Sequence, residues 1–459
     1  MAKKKRKKDN ESESIANLLS GVMGTIDKED NAYDCGGVEL KSFSERWLLD
    51  SNVIRTGEIY QFGGESAGGK SQYMDIISAA FVRAGGVAEK IDTEHKTNPT
   101  ASVIPNIGED IYYSGRYFYA TAGSIDAAKA AKRGDEDAKE EKDKSWMSMV
   151  TNRINTIKAS PVLSAIPIFI GVDSLLGAPS TESRSKFEDN GGSVNGRTAT
   201  AMSRAAAITE YLPNIATAIA GTNITIGFTN HGKKPINVGG AKVYGTPKPN
   251  LPGGDGLLFH CSTVLYFKSG GAIHRKNVGG RKVNISIYKN SFGDDQRRLE
   301  VAFYYDILKD KEGNVVRDKF GYPMRRLLWD WDGATADLIF KYCGGSSSSN
   351  KNYISAVRDV FPGITKSGST ISCKKYGIDK MPFTEFGRHI MEDEDIYQQL
   401  MEVPKLSYHH VNPSKVIVPD WSDEDNLSKE SGGWEEEGNL ATDDMDAVLG
   451  KELSYDDDE

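Results

Sequence analysis

A glycine-rich loop between an apolar run and a predicted helix restricts the fold of this chain more than any other feature. Residues 63–71 read Gly-Gly-Glu-Ser-Ala-Gly-Gly-Lys-Ser and follow the apolar run at 58–62. From Gly64 onward they fit the template G-x-x-x-x-G-K-[ST], whose glycines let backbone N–H groups turn toward phosphate oxygens. A glycine turn that happens to precede a lysine is the alternative. The strand-like run before the loop and the helix after it favour a nucleoside triphosphate site.

The residue types of this loop assign it specific roles. We expect the ammonium group of Lys70 to reach the β- and γ-phosphates and the hydroxyl of Ser71 to bind Mg²⁺. The predicted cofactors are therefore ATP and Mg²⁺. The loop residues expected to contact the nucleotide are Gly64, Glu65, Ser66, Ala67, Gly68, Gly69, Lys70 and Ser71.

Three later apolar runs end in polar or acidic side chains. Ligands of α/β proteins lie at the carboxyl ends of parallel strands, so these side chains would converge on the phosphate loop. Glu94 would align a water for attack on the γ-phosphate, and Asp173, which ends a continuous apolar run, would hold Mg²⁺. Considered alone, Glu94 is also consistent with an exposed loop acid. The runs are residues 87–95, 166–174 and 223–231, the last of which ends in Asn230 and His231.

The ordered set of motifs resembles the RecA recombinase family, and its phage UvsX-type members in particular. Ile-Asp-Thr-Glu-His at residues 91–95 is similar to the family's strand with the catalytic glutamate, and Val-Asp-Ser at 172–174 is similar to its Walker B strand. His231 occupies the position of the family's γ-phosphate sensor. The similarity covers roughly residues 37–340, with a weaker similarity to about residue 405.

The resemblance implies a nucleotide contact between subunits, in which Lys289 would reach the nucleotide of a neighbouring subunit. Tyr305, which ends the run at residues 301–305, is this chain's own candidate to cover the base. Together with Glu94, Lys70 and His231, Lys289 completes the implied catalytic set.

Three positions depart from the family pattern. Bacterial RecA has a serine where this chain has Gly68, and a second trans-acting lysine where it has Ser291. The aromatic residue that stacks on adenine in the family is replaced by Ala101. These departures leave open which residue recognises the base and how strongly a neighbouring subunit contacts the nucleotide.

Two stretches rich in glycine, serine and basic residues, 178–197 and 232–254, follow the Walker B-like and sensor-like strands. On composition alone each is an ordinary surface loop. Their positions in the motif order favour DNA-binding loops, because mobile cationic segments hold a phosphate backbone without sequence preference. The cations expected to bind DNA are Arg184, Lys186, Arg197, Lys233, Lys234 and Lys242.

The net charge of −8 conceals a strong segregation of charge. Residues 3–8 carry six positive charges, whereas residues 421–459 carry 15 acids against two lysines. Such blocks are usually solvated. The basic run would attract nucleic acid or act as an import-like signal, and the acidic tail would compete with DNA or serve solubility.

Cysteine spacing and hydropathy indicate the cellular compartment in which the protein is expected. The four cysteines show no disulfide or metal-ligand spacing, and no apolar segment reaches transmembrane length. We expect an intracellular protein, cytoplasmic or nucleoid-associated, acting in a host cell if it is phage-encoded, with no membrane partner.

The expected fold is α/β, with a RecA-like P-loop ATPase core in which helices flank a mostly parallel sheet. An N-terminal helical arm and a small C-terminal α/β module would be appended to this core. The expected divisions are a basic arm with a polymerisation helix at 1–36, the core with its DNA-binding loops at 37–343, the C-terminal module at 344–420 and the acidic tail at 421–459.

The resemblance implies a DNA-dependent ATPase that forms helical filaments of identical subunits on single-stranded DNA. It would pair that strand with homologous double-stranded DNA in recombination and repair, with single-strand-binding and mediator proteins as candidate partners. One alternative is a hexameric replicative helicase on the same core. Another is a recombination mediator that binds ATP and DNA but hydrolyses ATP weakly.

Overall fold

The structure is a computed structural model that describes part of the chain. The described residues are 36–94, 99–122, 146–175, 197–232, 251–252, 254–275, 278–294, 296–307, 309, 313–317, 321, 323, 325–343 and 354–413. The expected N-terminal arm and the acidic tail therefore lie outside the described residues, apart from position 36, as do residues 344–353 and 414–420 of the expected C-terminal module.

The described strands and helices alternate through the first half of the chain. The strands are β1 (Gly37–Glu39), β2 (Val53–Arg55), β3 (Ile59–Gly64), β4 (Val87–Asp92), β5 (Tyr117–Thr121), β6 (Ile168–Asp173), β7 (Ile224–His231), β8 (Thr263–Arg275), β9 (Val278–Asn290), β10 (Arg298–Ile307), β11 (Arg325–Trp329), β12 (Thr365–Ser367), β13 (Thr370–Cys373) and β14 (Ile378–Pro382). The helices are α1 (Phe43–Leu49), α2 (Lys70–Arg83), α3 (Pro99–Ser102), α4 (Ile104–Ile107), α5 (Glu109–Tyr112), α6 (Trp146–Ala159), α7 (Pro161–Ser164), α8 (Arg197–Ile219), α9 (Gly254–His260), α10 (Trp331–Tyr342), α11 (Ser355–Val360), α12 (Phe383–Glu392) and α13 (Glu394–Met401).

A nine-stranded sheet organises the described part of the chain, in the order β11-β10-β9-β8-β3-β7-β6-β4-β5. Neighbouring strands are parallel from β8 to β5 and antiparallel from β8 to β11. Every residue of β3 and β4 is buried, as expected for parallel strands covered on both faces. The predicted α/β class, with helices flanking a mostly parallel sheet, is confirmed in this form.

Two hydrophobic clusters cover the two faces of the sheet. Phe62 of β3 packs with Tyr73 of α2 in the first cluster, to which α1 and α10 also contribute. Val172 of β6 and Phe228 of β7 pack with Leu212 of α8 in the second cluster, together with α6. The alternation of side chains along each strand thus divides a continuous apolar run between two layers of helices.

The strand register brings the carboxyl ends of four strands to one edge of the sheet. Gly64 at the end of β3 lies opposite His231 at the end of β7. Asp92 at the end of β4 lies opposite Asp173 at the end of β6. Side chains that end these strands, or follow them by one or two residues, therefore share the edge at which α2 begins.

Residues 354–413 form a small antiparallel sheet, β12-β13-β14, with α11, α12 and α13. This unit packs on α1 through the rings of Phe43, Tyr397 and Tyr408. The indole nitrogen of Trp47 donates to the carbonyl of Lys405 at 2.8 Å. The C-terminal unit and the sheet consequently share one hydrophobic cluster. No helix among the described residues is long and apolar enough to span a bilayer.

Candidate nucleotide site

The glycine-rich loop connects β3 directly to α2 and depends on glycine at both ends. Gly64 has φ 139°, and a Cβ atom there would lie 2.1 Å from the carbonyl oxygen of Phe267. Gly69 precedes the first helical residue with φ 91°, in the left-handed region. No other residue type fits these two positions without moving the backbone. The loop is thereby held against β8 with the N-terminus of α2 behind it.

Gly68, where the resemblance led us to expect a serine, lies in a closely packed part of the loop. A Cβ atom at Gly68 would lie 3.0 Å from the carbonyl oxygen of Glu65 and 3.1 Å from that of Phe267. A serine would fit only if the loop shifted by a few tenths of an ångström. The loop is therefore packed closely enough against β8 to favour glycine.

Lys70 extends its side chain back over the loop. Its ammonium nitrogen donates to the carbonyl of Gly64 at 3.2 Å and to that of Glu65 at 2.6 Å. The residue is only 4% exposed. Desolvation lowers the pKa of Lys70, against the opposing attraction of Asp173, Glu94 and Glu65. A cation is therefore fixed above the N-terminus of α2, where phosphate oxygens would gain from both charges.

Ser71 and Asp173 form the pair of oxygen donors that the sequence predicts for Mg²⁺. The hydroxyl of Ser71 donates to Oδ1 of Asp173 at 3.1 Å. Thr229 of β7 donates to the same carboxylate oxygen at 2.5 Å. Mg²⁺ prefers oxygen ligands and keeps several water or phosphate ligands, so a carboxylate and a hydroxyl fit its chemistry. Within the described residues there is no group of three or more His, Cys, Asp and Glu side chains arranged for a metal.

Glu94 and His231 meet across the edge of the sheet. Nε2 of His231 lies 3.0 Å from Oε1 of Glu94, and the hydroxyl of Ser174 donates to the same oxygen at 2.8 Å. The backbone N–H of Glu94 donates to Oδ1 of Asp92 at 2.8 Å, which fixes the turn after β4. The side chains are 46% exposed for His231 and 20% for Glu94, so both remain accessible from solvent.

Lys289 lies far from this edge. It pairs with Val264 of β8, and the neighbouring Thr263 pairs with Tyr60 near the beginning of β3. The ammonium group of Lys289 donates to the carbonyl oxygens of Leu258 and Phe259, and desolvation lowers its pKa. Lys289 therefore lies at the amino-terminal edge of the parallel strands, opposite the glycine-rich loop.

Tyr305 lies on β10, on the same face as Phe303. The two rings are 5.8 Å apart, and Phe303 also contacts Trp329. A Cβ atom at Gly69 would lie 3.0 Å from the Trp329 ring. The rings of Trp329, Phe303 and Tyr305 thus form a row that begins at the start of α2. Ala101, at the position of the family's adenine-stacking residue, lies on α3 instead.

The expected DNA-binding cations are mostly beyond the structural description. Arg197 is the first residue of α8. The other five lie outside the described residues, namely Arg184, Lys186, Lys233, Lys234 and Lys242. Their predicted role stays a prediction from the sequence.

One basic side chain that the sequence does not mark, Arg281, also contacts the loop. The guanidinium group of Arg281 on β9 donates to the carbonyl of Ala67 at 3.0 Å and to the hydroxyl of Ser269 at 3.2 Å. The backbone N–H of Ser269 donates to Glu65 at 3.3 Å. The extended β8–β9 pair therefore supports the exposed tip of the loop. No sequence motif marks Arg281, because its contact depends on the strand register.

No protein-family model matches the sequence, and no curated protein matches it. The class that the fold and the site define is an α/β protein with a strand–glycine loop–helix at the carboxyl edge of a parallel sheet. This edge carries a lysine, a hydroxyl–carboxylate pair and a glutamate–histidine pair.

Proposed function

We propose that this chain is an ATPase with a RecA-like core, acting as a recombinase on DNA. The observation that carries the proposal is the contact between Glu94 and His231 at the edge where α2 begins. A glycine loop alone supports only phosphate binding. A carboxylate and a histidine joined beside it supply a water-activating group and a group that can respond to the γ-phosphate.

In the proposed reaction, Lys70 and the N-terminus of α2 bind the phosphates. Ser71 and Asp173 would hold Mg²⁺, which would supply positive charge against the phosphates. Glu94 orients a water molecule and accepts its proton as attack on the γ-phosphate begins. Ser174 holds the Glu94 carboxylate, and Thr229 holds that of Asp173.

His231 connects nucleotide state to the chain beyond β7. Nε2 of its side chain lies 3.0 Å from Oε1 of Glu94. A γ-phosphate that accepts a hydrogen bond from His231 would compete with this contact. Because His231 is the last residue of β7, the change would pass to residues 232–254, one of the two predicted DNA-binding segments.

The position of Lys289 supports an assembly of identical subunits. A lysine at the amino-terminal edge cannot reach the loop of its own subunit, but a head-to-tail neighbour would bring its own loop toward that edge. Phe259, beside Lys289, is 77% exposed, so its ring is available to contact such a neighbour. A repeated head-to-tail contact that does not close generates a helical filament.

Electron microscopy with single-stranded DNA and a slowly hydrolysed ATP analogue tests this function. Helical filaments that require both ligands would support the recombinase. Closed six-membered rings would favour the helicase alternative. Filaments formed by a protein that binds ATP but does not turn it over would favour the mediator, and absence of both ATP and DNA binding would contradict all three.

A further inference from the structure

A buried ion cluster lies directly behind the proposed metal site. The ammonium group of Lys90 on β4 lies 2.8 Å from Oδ1 of Asp75 on α2 and 3.3 Å from Oδ2 of Asp173. The side chains of Lys90 and Asp75 are 2% and 1% exposed. The second oxygen of Asp75 accepts a hydrogen bond from the Asn106 side chain at 2.7 Å. Both oxygens of Asp75 are therefore engaged.

This cluster is not expected to increase the free energy of unfolding. Removing a lysine and a carboxylate from water costs several kcal/mol for each ion, and apolar residues of similar volume are often as stable. Strand β4 is otherwise an ordinary buried strand, where an apolar residue would satisfy packing at position 90. A charge in this position is therefore more easily explained by what it contacts than by the energy of folding.

We propose that Lys90 is a positioning residue for the metal-binding carboxylate of Asp173, an inference that rests on the nucleotide site proposed above. Lys90 holds Oδ2, while Ser71 and Thr229 contact Oδ1. The two oxygens of one carboxylate are thus divided between two sets of partners. This arrangement fixes the plane of the carboxylate and directs Oδ1, together with the Ser71 hydroxyl, toward the phosphate loop.

Asp75 offsets the positive charge that Lys90 places beside Asp173. A lone lysine against Asp173 would cancel the negative charge that attracts a divalent cation. With Asp75 present, Lys90 is shared between two carboxylates, and one negative charge remains in the cluster. Asn106 on α4 holds Asp75 of α2 by a hydrogen bond, so two helices together determine the position of the carboxylate that Lys90 contacts.

The test removes the buried pair as a unit, because Lys90→Met alone would leave Asp75 buried and unpaired. The first variant combines Asp75→Leu with Lys90→Met, and the second combines Asp75→Asn with Lys90→Gln, which keeps polar groups of similar size. The matched control combines Glu89→Leu with Arg153→Met. Glu89 precedes Lys90 on β4, so its side chain lies on the opposite face of the sheet, where its partner Arg153 is 3.2 Å away.

Five quantities are measured on the full-length variants. They are the unfolding temperature, the affinity for a fluorescent ATP analogue without metal, the Mg²⁺ concentration at which that binding is half-maximally tightened (the Mg²⁺ midpoint), and kcat and KM for hydrolysis. We expect folded proteins with metal-free affinity within about twofold of the wild type. The Mg²⁺ midpoint should shift by about fivefold or more, and kcat should fall about 10- to 100-fold, because misplaced ligands lose metal affinity and activity by such factors. The control pair should leave the Mg²⁺ midpoint and kcat unchanged.

Either folded Lys90 variant with the wild-type Mg²⁺ midpoint and kcat would overturn the positioning role. Equal shifts in the control pair would also overturn it, since they would indicate a general effect of altering β4. Failure of the proposed function has a different signature. If Ser71→Ala and Asp173→Asn leave Mg²⁺-dependent nucleotide binding intact, the metal site itself is wrong, and the inference about Lys90 fails with it.

Discussion

Oε1 of Glu94 lies 3.0 Å from Nε2 of His231, although 137 positions of sequence separate them. Glu94 follows β4 by two residues, and His231 ends β7, with β6 between these strands. Ser174, which follows β6, donates to the same carboxylate oxygen. One carboxylate therefore connects the ends of three parallel strands beside the glycine loop, and this geometry motivates the proposed ATPase mechanism.

Lys70→Met should weaken ATP binding about 10- to 100-fold. The variant removes the cation that lies over the loop while keeping an unbranched side chain of similar length. Titration of a fluorescent ATP analogue measures the effect. Lys158→Met, at an exposed lysine near the end of α6, is the matched control and should bind like the wild type. Equal affinities for Lys70→Met and the control would contradict phosphate binding by Lys70.

Glu45→Gln should stabilise the protein at alkaline pH. Burial raises the pKa of Glu45 from its usual 4.5 to about 7, although Tyr73 donates a hydrogen bond to it. Because the folded-state pKa is the higher one, the wild type loses stability as pH rises from about 4.5 through about 7. We expect the variant to gain about 1–3 kcal/mol in unfolding free energy at pH 8 and almost nothing near pH 4.5.

Denaturant unfolding at both pH values measures this difference. Glutamine keeps an oxygen that can accept the hydrogen bond from Tyr73, so packing changes little. Glu402→Gln, at an exposed carboxylate after α13, is the matched control and should follow the wild type at both pH values. A Glu45→Gln protein that is less stable at pH 8 would show that the buried carboxylate is needed in its charged form.

Replacing Lys233, Lys234 and Lys242 with glutamine should weaken binding to single-stranded DNA and flatten its salt dependence. Each lost phosphate contact reduces the slope of log K against log salt by about 0.7, so three contacts predict a change of about 2. Fluorescence anisotropy across a salt series measures the slope. Binding of ATP without DNA should be unchanged, and an unaltered slope would place the DNA site elsewhere.

Deletion of residues 421–459 should raise the affinity for duplex DNA, most strongly at low salt. The segment carries 15 acids against two lysines, and a tethered polyanion competes with DNA for cationic sites at high effective concentration. The deletion should also lower the Mg²⁺ requirement for DNA binding. A tail of scrambled sequence but equal composition should restore wild-type behaviour, since charge rather than order is responsible. Equal duplex affinity with and without the tail would leave only a solubility role.

Several features were predictable because they depend on short-range pattern. The glycine positions of the loop and the apolar runs of β3, β6 and β7 follow from local rules of backbone conformation and burial. The order of these runs also predicted that their ends would share an edge. The structure places Ser71 beside Asp173, and Glu94 beside His231, in agreement with that order.

Other contacts depend on register and on pairing between distant elements, which one sequence does not reveal. Thr229 reads as an ordinary residue of an apolar strand, yet β6 and β7 are aligned so that its hydroxyl reaches Asp173. Lys90 lies on β4 and Asp75 on α2, so their side chains come into contact only when α2 packs on β4. The packing of Trp47 against Lys405 joins segments more than 350 positions apart.

The most direct test of the account is the rate of DNA-stimulated ATP hydrolysis by Glu94→Gln at saturating ATP. Glutamine can keep the contacts with Ser174 and His231 but cannot accept a proton from water. We expect kcat to fall at least about 100-fold, with ATP and DNA affinities within about threefold of the wild type. Glu109→Gln, at an exposed acid of α5, is the matched control and should hydrolyse ATP normally. Hydrolysis by Glu94→Gln at the wild-type rate would contradict the proposed catalytic site.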